Sequence, residues 1–210
     1  ILSPVLPFGF LGESGELDDG AEQVSRPVTI AVTGKVTNSK KDFRLVYLAL
    51  KRCLDRLDLP VRLILLGNAG GKQAAPILAD FRSLESDKFI LEYSTDYVPA
   101  EEFEEKVQRV DFLVAPIKVD THFRKYHEVY GKSKMSGIEN DILLHRKPSL
   151  VISGYDVGSP LDRVVEYFEP DPDSLAESLV RWINGQVFAQ RKSEFRRMDA
   201  YLPEVLAARL

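Results

Sequence analysis

Five short, almost wholly apolar stretches, at residues 28–33, 61–66, 89–93, 112–115 and 149–152, are separated by segments in which apolar residues return every three or four positions. Strands that are apolar on both sides must be covered on both sides, which is the situation of parallel strands flanked by helices. The intervening segments supply those helices. Residues 42–57 place Phe43, Val46, Tyr47, Leu50 and Leu54 on one stripe, and residues 72–83, 99–110 and 136–145 read the same way. The order β-α-β-α-β-α-β-α-β predicts an α/β fold: a doubly wound, mostly parallel, Rossmann-like sheet with right-handed crossovers and helices on both faces. Two more helices follow. One, over 173–183, is capped by Asp173 and carries Leu175, Leu179, Trp182 and Ile183 on one face; the other, more polar, runs over 189–210 with an interruption at Pro203.

This pattern divides the chain of 210 residues into an arm or connector (1–27), a Rossmann-like domain (28–185) and a helical extension (186–210). Residues 11–27 contain Glu13, Glu16, Asp18, Asp19 and three glycines, the composition of a flexible connector. The chain begins without methionine, and we read it as a piece of something larger. A formal net charge of -4 argues against a general affinity for nucleic acid, so any functional positive charge is local. The single cysteine, Cys53, excludes an intrachain disulfide, and its apolar surroundings over 46–53 predict a buried core thiol of a reduced, cytoplasmic protein. No apolar run reaches the roughly 20 residues of a membrane span, and residues 1–10 have neither the basic start nor the length of a signal peptide.

In such sheets ligands gather at the carboxyl ends of the strands. The first loop there, 34–41, combines Gly34 with Lys35, Lys40 and Lys41; glycine lets a ligand approach the backbone, and lysines reach a diphosphate as point charges. It has neither the Walker spacing nor Gly-x-Gly-x-x-Gly. The second loop, with Gly67, Gly70 and Gly71, reads mainly as turn chemistry, and in the third Tyr97 and Val98 offer a ring and backbone groups to a base, although a tyrosine there is more often packing. The fourth, 116–134, is an unusually long connection whose Asp120, His122, His127 and Glu128 match no standard metal spacing, and we read it as a substrate-facing loop.

That loop ends in a basic turn, 131–137, which opens a helix. Glycine and hydroxyl residues at a helix start present unpaired N–H groups and the positive end of the dipole, with Lys132 and Lys134 adding charge. Such a turn is suited to an anion such as a diphosphate.

Taken together, 28–34, 63–67, 89–102, 110–116 and the turn, helix, Lys147-Pro148 and strand unit resemble the C-terminal, nucleotide-sugar-binding half of GT-B glycosyltransferases, particularly the retaining group 1 type, over about residues 28–185. The resemblance implies a donor-binding half that moves a sugar from a nucleoside-diphosphate sugar to an acceptor hydroxyl, with the acceptor held by an N-terminal half absent here. It implies that Lys35 and Lys40 stand where the family has an arginine and a lysine on the donor diphosphate. It also implies that Lys134, Ser136 and Gly137 form the phosphate-facing turn, that Gly34 and Gly67 line the site, and that Tyr97 and Val98 meet the base. Two glutamates eight apart are common on the family's nucleotide-binding helix; the second position falls on Asp141, which would bond the ribose hydroxyls, and the first is Ser133. No metal or other cofactor is implied. A bacterial cell-envelope pathway is, at the inner face of the membrane, where Arg191 to Arg197 would offer a basic face, although such a stretch is ordinarily a solvated helix face. Two alternatives stand beside this reading. One is a nucleotide-sugar epimerase of the same architecture, with His122 or His127 as the acid-base lead; the other is a non-catalytic binding module.

Overall fold

The computed structural model describes residues 11, 25–123, 126–132, 134–159, 161–198 and 202; the expectations for the rest of the N-terminal arm and for the chain from Pro203 onward lie outside them. Six parallel strands form one sheet in the order β3-β2-β1-β4-β7-β8. They are β1 (Val28–Thr33), β2 (Val61–Asn68), β3 (Phe89–Ser94), β4 (Phe112–Ala115), β7 (Ser149–Ile152) and β8 (Val165–Phe168). Every residue of β1, β4 and β7 is buried, as their unbroken apolar pattern requires.

The helices are α1 (Phe43–Cys53), α2 (Ala74–Arg82), α3 (Ala100–Gln108), α4 (Ile138–His145), α5 (Pro172–Asn184) and α6 (Val187–Ser193). Because strand order reverses between β1 and β4, right-handed crossovers put α1 and α2 on one face and α3 and α4 on the other. The α5 helix packs beside α1, and Trp182 meets Phe112 with ring centroids 5.0 Å apart. Cys53 lies in this core, and burial pushes its thiol up to about 12. This is the α/β Rossmann-like architecture expected from the pattern.

Four details depart from the sequence reading. The connection 116–134 is not a loop throughout: β5 (Asp120–Phe123) and β6 (Tyr126–Val129) pair antiparallel as a hairpin. Its polar residues hid that strand pair, because a hairpin standing off the core needs no apolar face. Strand β8, too short and mixed to read alone, exists by pairing with β7 at the sheet edge. The cap of α5 is Asp171, whose carboxylate accepts the Ser174 N–H at 2.8 Å with Pro172 at the first turn, and not Asp173. The last helix stops early: α6 gives way to a 3₁₀ turn at Glu194–Arg197, since Phe188, Phe195 and Met198 all have to reach the same core.

Candidate functional site

The carboxyl ends of β1 to β4 open onto one rim, and α4, antiparallel to the strands, begins on it. The order reversal between β1 and β4 leaves a crevice between loops departing in opposite directions.

The loops after β1, β2 and β3 lie against one another through missing side chains. Gly34 has φ +84, a left-handed conformation that favours glycine, and donates its N–H to Leu66 O at 2.8 Å. A Cβ on Gly67 would run into the Gly34 carbonyl, and one on Gly70 into that of Thr95. Gly67 thus acts on the rim by packing against Gly34. Further along, Tyr97 is 79% exposed while Val98 is buried.

The lysines of the first loop part company. Lys35 and Lys40 are exposed, whereas the neighbouring Lys41 turns inward, its ammonium 3.0 Å from where a Gly34 Cβ would stand. Its backbone is held by the chain that leaves β4: Lys41 bridges Ile117, Asp42 N–H donates to Pro116 O at 2.8 Å, and Lys118 N–H to Lys40 O at 2.9 Å. Asp42 then caps α1 by accepting the Leu45 N–H at 3.0 Å. Burial brings the Lys41 ammonium down to about 8, and the Asp141 charge opposes that shift.

Asp141 sits on the first turn of α4 and accepts a hydrogen bond from Thr33 Oγ1 at 2.7 Å through Oδ2. Burial raises its carboxyl above the ordinary range, while Thr33, Lys41 and His145 pull it back. Strand β1 and helix α4 are therefore joined at the rim by a hydroxyl and a carboxylate, with the Lys41 ammonium near enough for its charge to act on that carboxylate.

The start of α4 is open. Gly137, at φ +86, is its N-cap without a capping side chain, and the space a Cβ would take there is free. Ser136 Oγ accepts the Ile138 N–H at 3.1 Å, so its hydroxyl hydrogen remains to be donated. The N–H of Asn140 has no backbone acceptor outside its own helix among the described residues, whereas that of Glu139 is turned to its own carboxyl. Behind the turn, Tyr155 accepts the Ser136 N–H at 3.1 Å and donates to Glu139 Oε1. Lys134, expected as a phosphate-facing charge, donates instead to both oxygens of Glu128, at 3.3 and 3.1 Å, so its charge is already balanced at the hairpin base.

Of the residues expected from the sequence, the structure brings Gly34, Gly67, Ser136, Gly137 and Asp141 to the packed rim and leaves Lys35, Lys40 and Tyr97 in solvent around it. Sequence reasoning missed Lys41 as the inward cation, together with Thr33, Glu139 and Tyr155. A signal existed for Lys41: it directly precedes the α1 cap Asp42, where the chain turns back toward the sheet. Tyr155 had none, since it arrives from the connection after β7.

Among the described residues no group of three His, Cys, Asp or Glu side chains could hold a metal ion, and no helix is long and apolar enough to cross a membrane. Arg191 is engaged inside the fold, donating to Arg163 O and Val165 O at 3.1 and 2.6 Å, and Arg197 pairs with Glu194.

No protein-family model and no curated protein matches the chain. Solved structures do. WaaB, a lipopolysaccharide outer core galactosyltransferase in apo form, matches with a TM-score of 0.58 at 12% identity, over 97% of this chain and 52% of WaaB. The C-terminal domain of LpcC, a glycosyl transferase group 1 family protein from Francisella tularensis, matches with a TM-score of 0.54 at 14% identity, over 82% of this chain and 87% of that domain. The fold is shared with GT-B glycosyltransferases. MnaA of S. aureus, in a co-structure with UDP, matches with a TM-score of 0.53 at 14% identity, over 80% of this chain and 39% of MnaA. At these identities the likeness is one of fold. The chain spans 39% and 52% of the lengths of MnaA and WaaB.

Proposed function

We propose that this chain is the donor-binding half of a glycosyltransferase that moves a sugar from a nucleoside-diphosphate sugar to an acceptor hydroxyl, with retention. The observation that carries the reading is the convergence of Lys41, the end of β1 and the open, side-chain-uncapped start of α4 on one rim. A departing nucleoside diphosphate gains negative charge, and preorganised cations and N–H donors stabilise it without having to reorient. In this reading the Asn140 amide and the Ser136 hydroxyl hold the diphosphate, with Gly137 giving the approach. Lys41 supplies the near positive charge, and Lys35 and Lys40 supply the outer charge. Asp141 keeps Oδ1 for a ribose hydroxyl while Oδ2 serves Thr33, and Tyr97 and Val98 border the base. Such chemistry calls for no metal.

The similarity to the LpcC C-terminal domain supports the placement as a C-terminal half, and the UDP in the MnaA structure supports a uridine nucleotide. An N-terminal, acceptor-binding half then completes the cleft, in a cytoplasmic bacterial enzyme of polysaccharide assembly that works at the membrane's inner face and has no nucleic-acid partner.

Calorimetric titration of the chain with UDP, GDP and ADP tests this. One of the three should bind at least about tenfold tighter than the others, which is about 1.4 kcal/mol, and Asp141→Asn should weaken that one. Failure of all three to bind overturns the reading in favour of a non-catalytic module.

A further inference from the structure

Glu139 is a carboxylate in an unusual place. It lies on the first turn of α4 and is only 3% exposed. One oxygen, Oε1, accepts from Tyr155 Oη, while Oε2 is buried with no partner among the described residues. An ionised carboxylate left half-unsatisfied in the interior is costly, and a neutral acid far less so. The same Tyr155 oxygen accepts the Ser136 N–H at 3.1 Å, and Ser136 Oγ in turn accepts the Ile138 N–H at 3.1 Å. The Tyr155 ring also lies against Gly131 at the hairpin base, 3.5 Å from where its Cβ would stand, so the tyrosine itself is held from outside the turn. One unbroken chain of hydrogen bonds thus runs from Glu139 through Tyr155 to the amide-presenting turn.

We propose that Glu139 and Tyr155 form a proton-governed latch on the Ser136-Gly137 turn: with Glu139 protonated the turn is held in its anion-presenting form, and ionisation of Glu139 releases it. The reading of the rim as a diphosphate site is what gives this latch its consequence for binding. The titratable groups facing Glu139 are Tyr155, from the segment after β7, and Asp141 on its own helix. Burial is the main effect and raises the Glu139 carboxyl above the ordinary value of 4.5; the Tyr155 bond and the hydrogen bond from the residue's own N–H act the other way, and the Asp141 charge raises it further. The sign follows. A carboxyl raised in the folded state favours the latched form at low pH and loses that contribution as pH climbs from 4.5 through the folded value.

The test uses the whole chain and two readouts, from about pH 5 to about pH 8. In the free protein, amide exchange at Ser136 and Ile138, corrected for its intrinsic pH dependence, should quicken with rising pH in the wild type. It should be pH-independent in Glu139→Gln and fast throughout in Tyr155→Phe. Affinity for UDP should fall with pH in the wild type by at least about threefold more than in Glu139→Gln, a comparison that cancels the titration of UDP itself. Matching pH profiles for wild type and Glu139→Gln in the exchange measurement overturn the latch. If UDP, GDP and ADP all fail to bind at every pH, the diphosphate reading fails, while the exchange data still decide the latch.

Discussion

Thr33 Oγ1 donates to Asp141 Oδ2 at 2.7 Å, across 108 positions of sequence, and so ties the carboxyl end of the central strand to the first turn of the helix that approaches it from the other side of the switch point. Removing the hydroxyl in Thr33→Val leaves the buried carboxylate short of one donor. We expect a loss of about 1 kcal/mol, read as a lower urea midpoint at unchanged slope. A midpoint equal to that of the wild type would show that the bond does not contribute.

The two lysines nearest the rim make opposite predictions. Lys41→Met should weaken nucleotide binding by about tenfold or more, because its ammonium is held inside the site. Lys134→Ala should cost less than about threefold, because its charge is spent on Glu128. Titration calorimetry that ranks them the other way would return the diphosphate to the hairpin base.

Gly67→Ala and Gly137→Ala separate packing from backbone conformation. At Gly67 the new Cβ meets the Gly34 carbonyl, and because the obstacle is backbone it cannot swing aside as a side chain would, so a loss above about 2 kcal/mol is expected. Gly137 has open space but φ +86, and alanine there should cost about 1 kcal/mol from the left-handed conformation alone. Thermal unfolding of the two variants gives the comparison.

Alkaline stability has a definite shape. Lys41 and Lys147 are both lowered to about 8 from 10.5, mainly by burial; Lys147 is 4% exposed and donates to Gln108 O and Val110 O at 3.1 and 2.7 Å. Between about 8 and 10.5 the unfolded chain holds protons on these lysines that the folded chain has released, so stability rises with pH over that window. Cys53 and Tyr155 work the other way, since both are pushed up to about 12 from 9.0 and 10.0 and the unfolded chain ionises them first. Urea midpoints should climb above pH 8, level off near pH 10 and then fall, and Lys147→Met should flatten the climb. A midpoint that falls steadily from pH 8 would refute this.

The same burial makes Cys53 an unfolding reporter. Its thiol should resist iodoacetamide in the native protein and react at a rate that follows the fraction unfolded as urea is added. Rapid labelling without denaturant would place it at the surface.

How far the sequence could be read depended on whether a residue's neighbours were close along the chain. The five central strands and the helices between them are local patterns, and each appeared within a few residues of its predicted place because a strand covered on both faces has one composition wherever it occurs. Strand β8 and the hairpin had no such pattern: one depends on its β7 partner, and the other is a polar pair that stands away from the core. The candidate site divides in the same way. Gly34, Ser136 and Gly137 were legible as turn and helix-start positions because such requirements are short-range, whereas Asp141 was picked out only by the family resemblance, counting back from Pro148.

Which lysine faces inward was not legible. Lys35, Lys40 and Lys41 are alike as residues, and the choice of Lys41 was made by the backbone bridge to Ile117 and the counter-charge of Asp141, 76 and 100 positions away by their numbers. Nor could the sequence show that Glu139 would meet a tyrosine arriving from beyond β7. Amino-acid order by itself settled the layered parallel sheet and the turns that close its strands, since periodicity and turn chemistry act over a few residues. Tertiary packing alone decided which charges are desolvated and which are paired, because burial and Coulomb interactions depend on distance in space and not on distance along the chain.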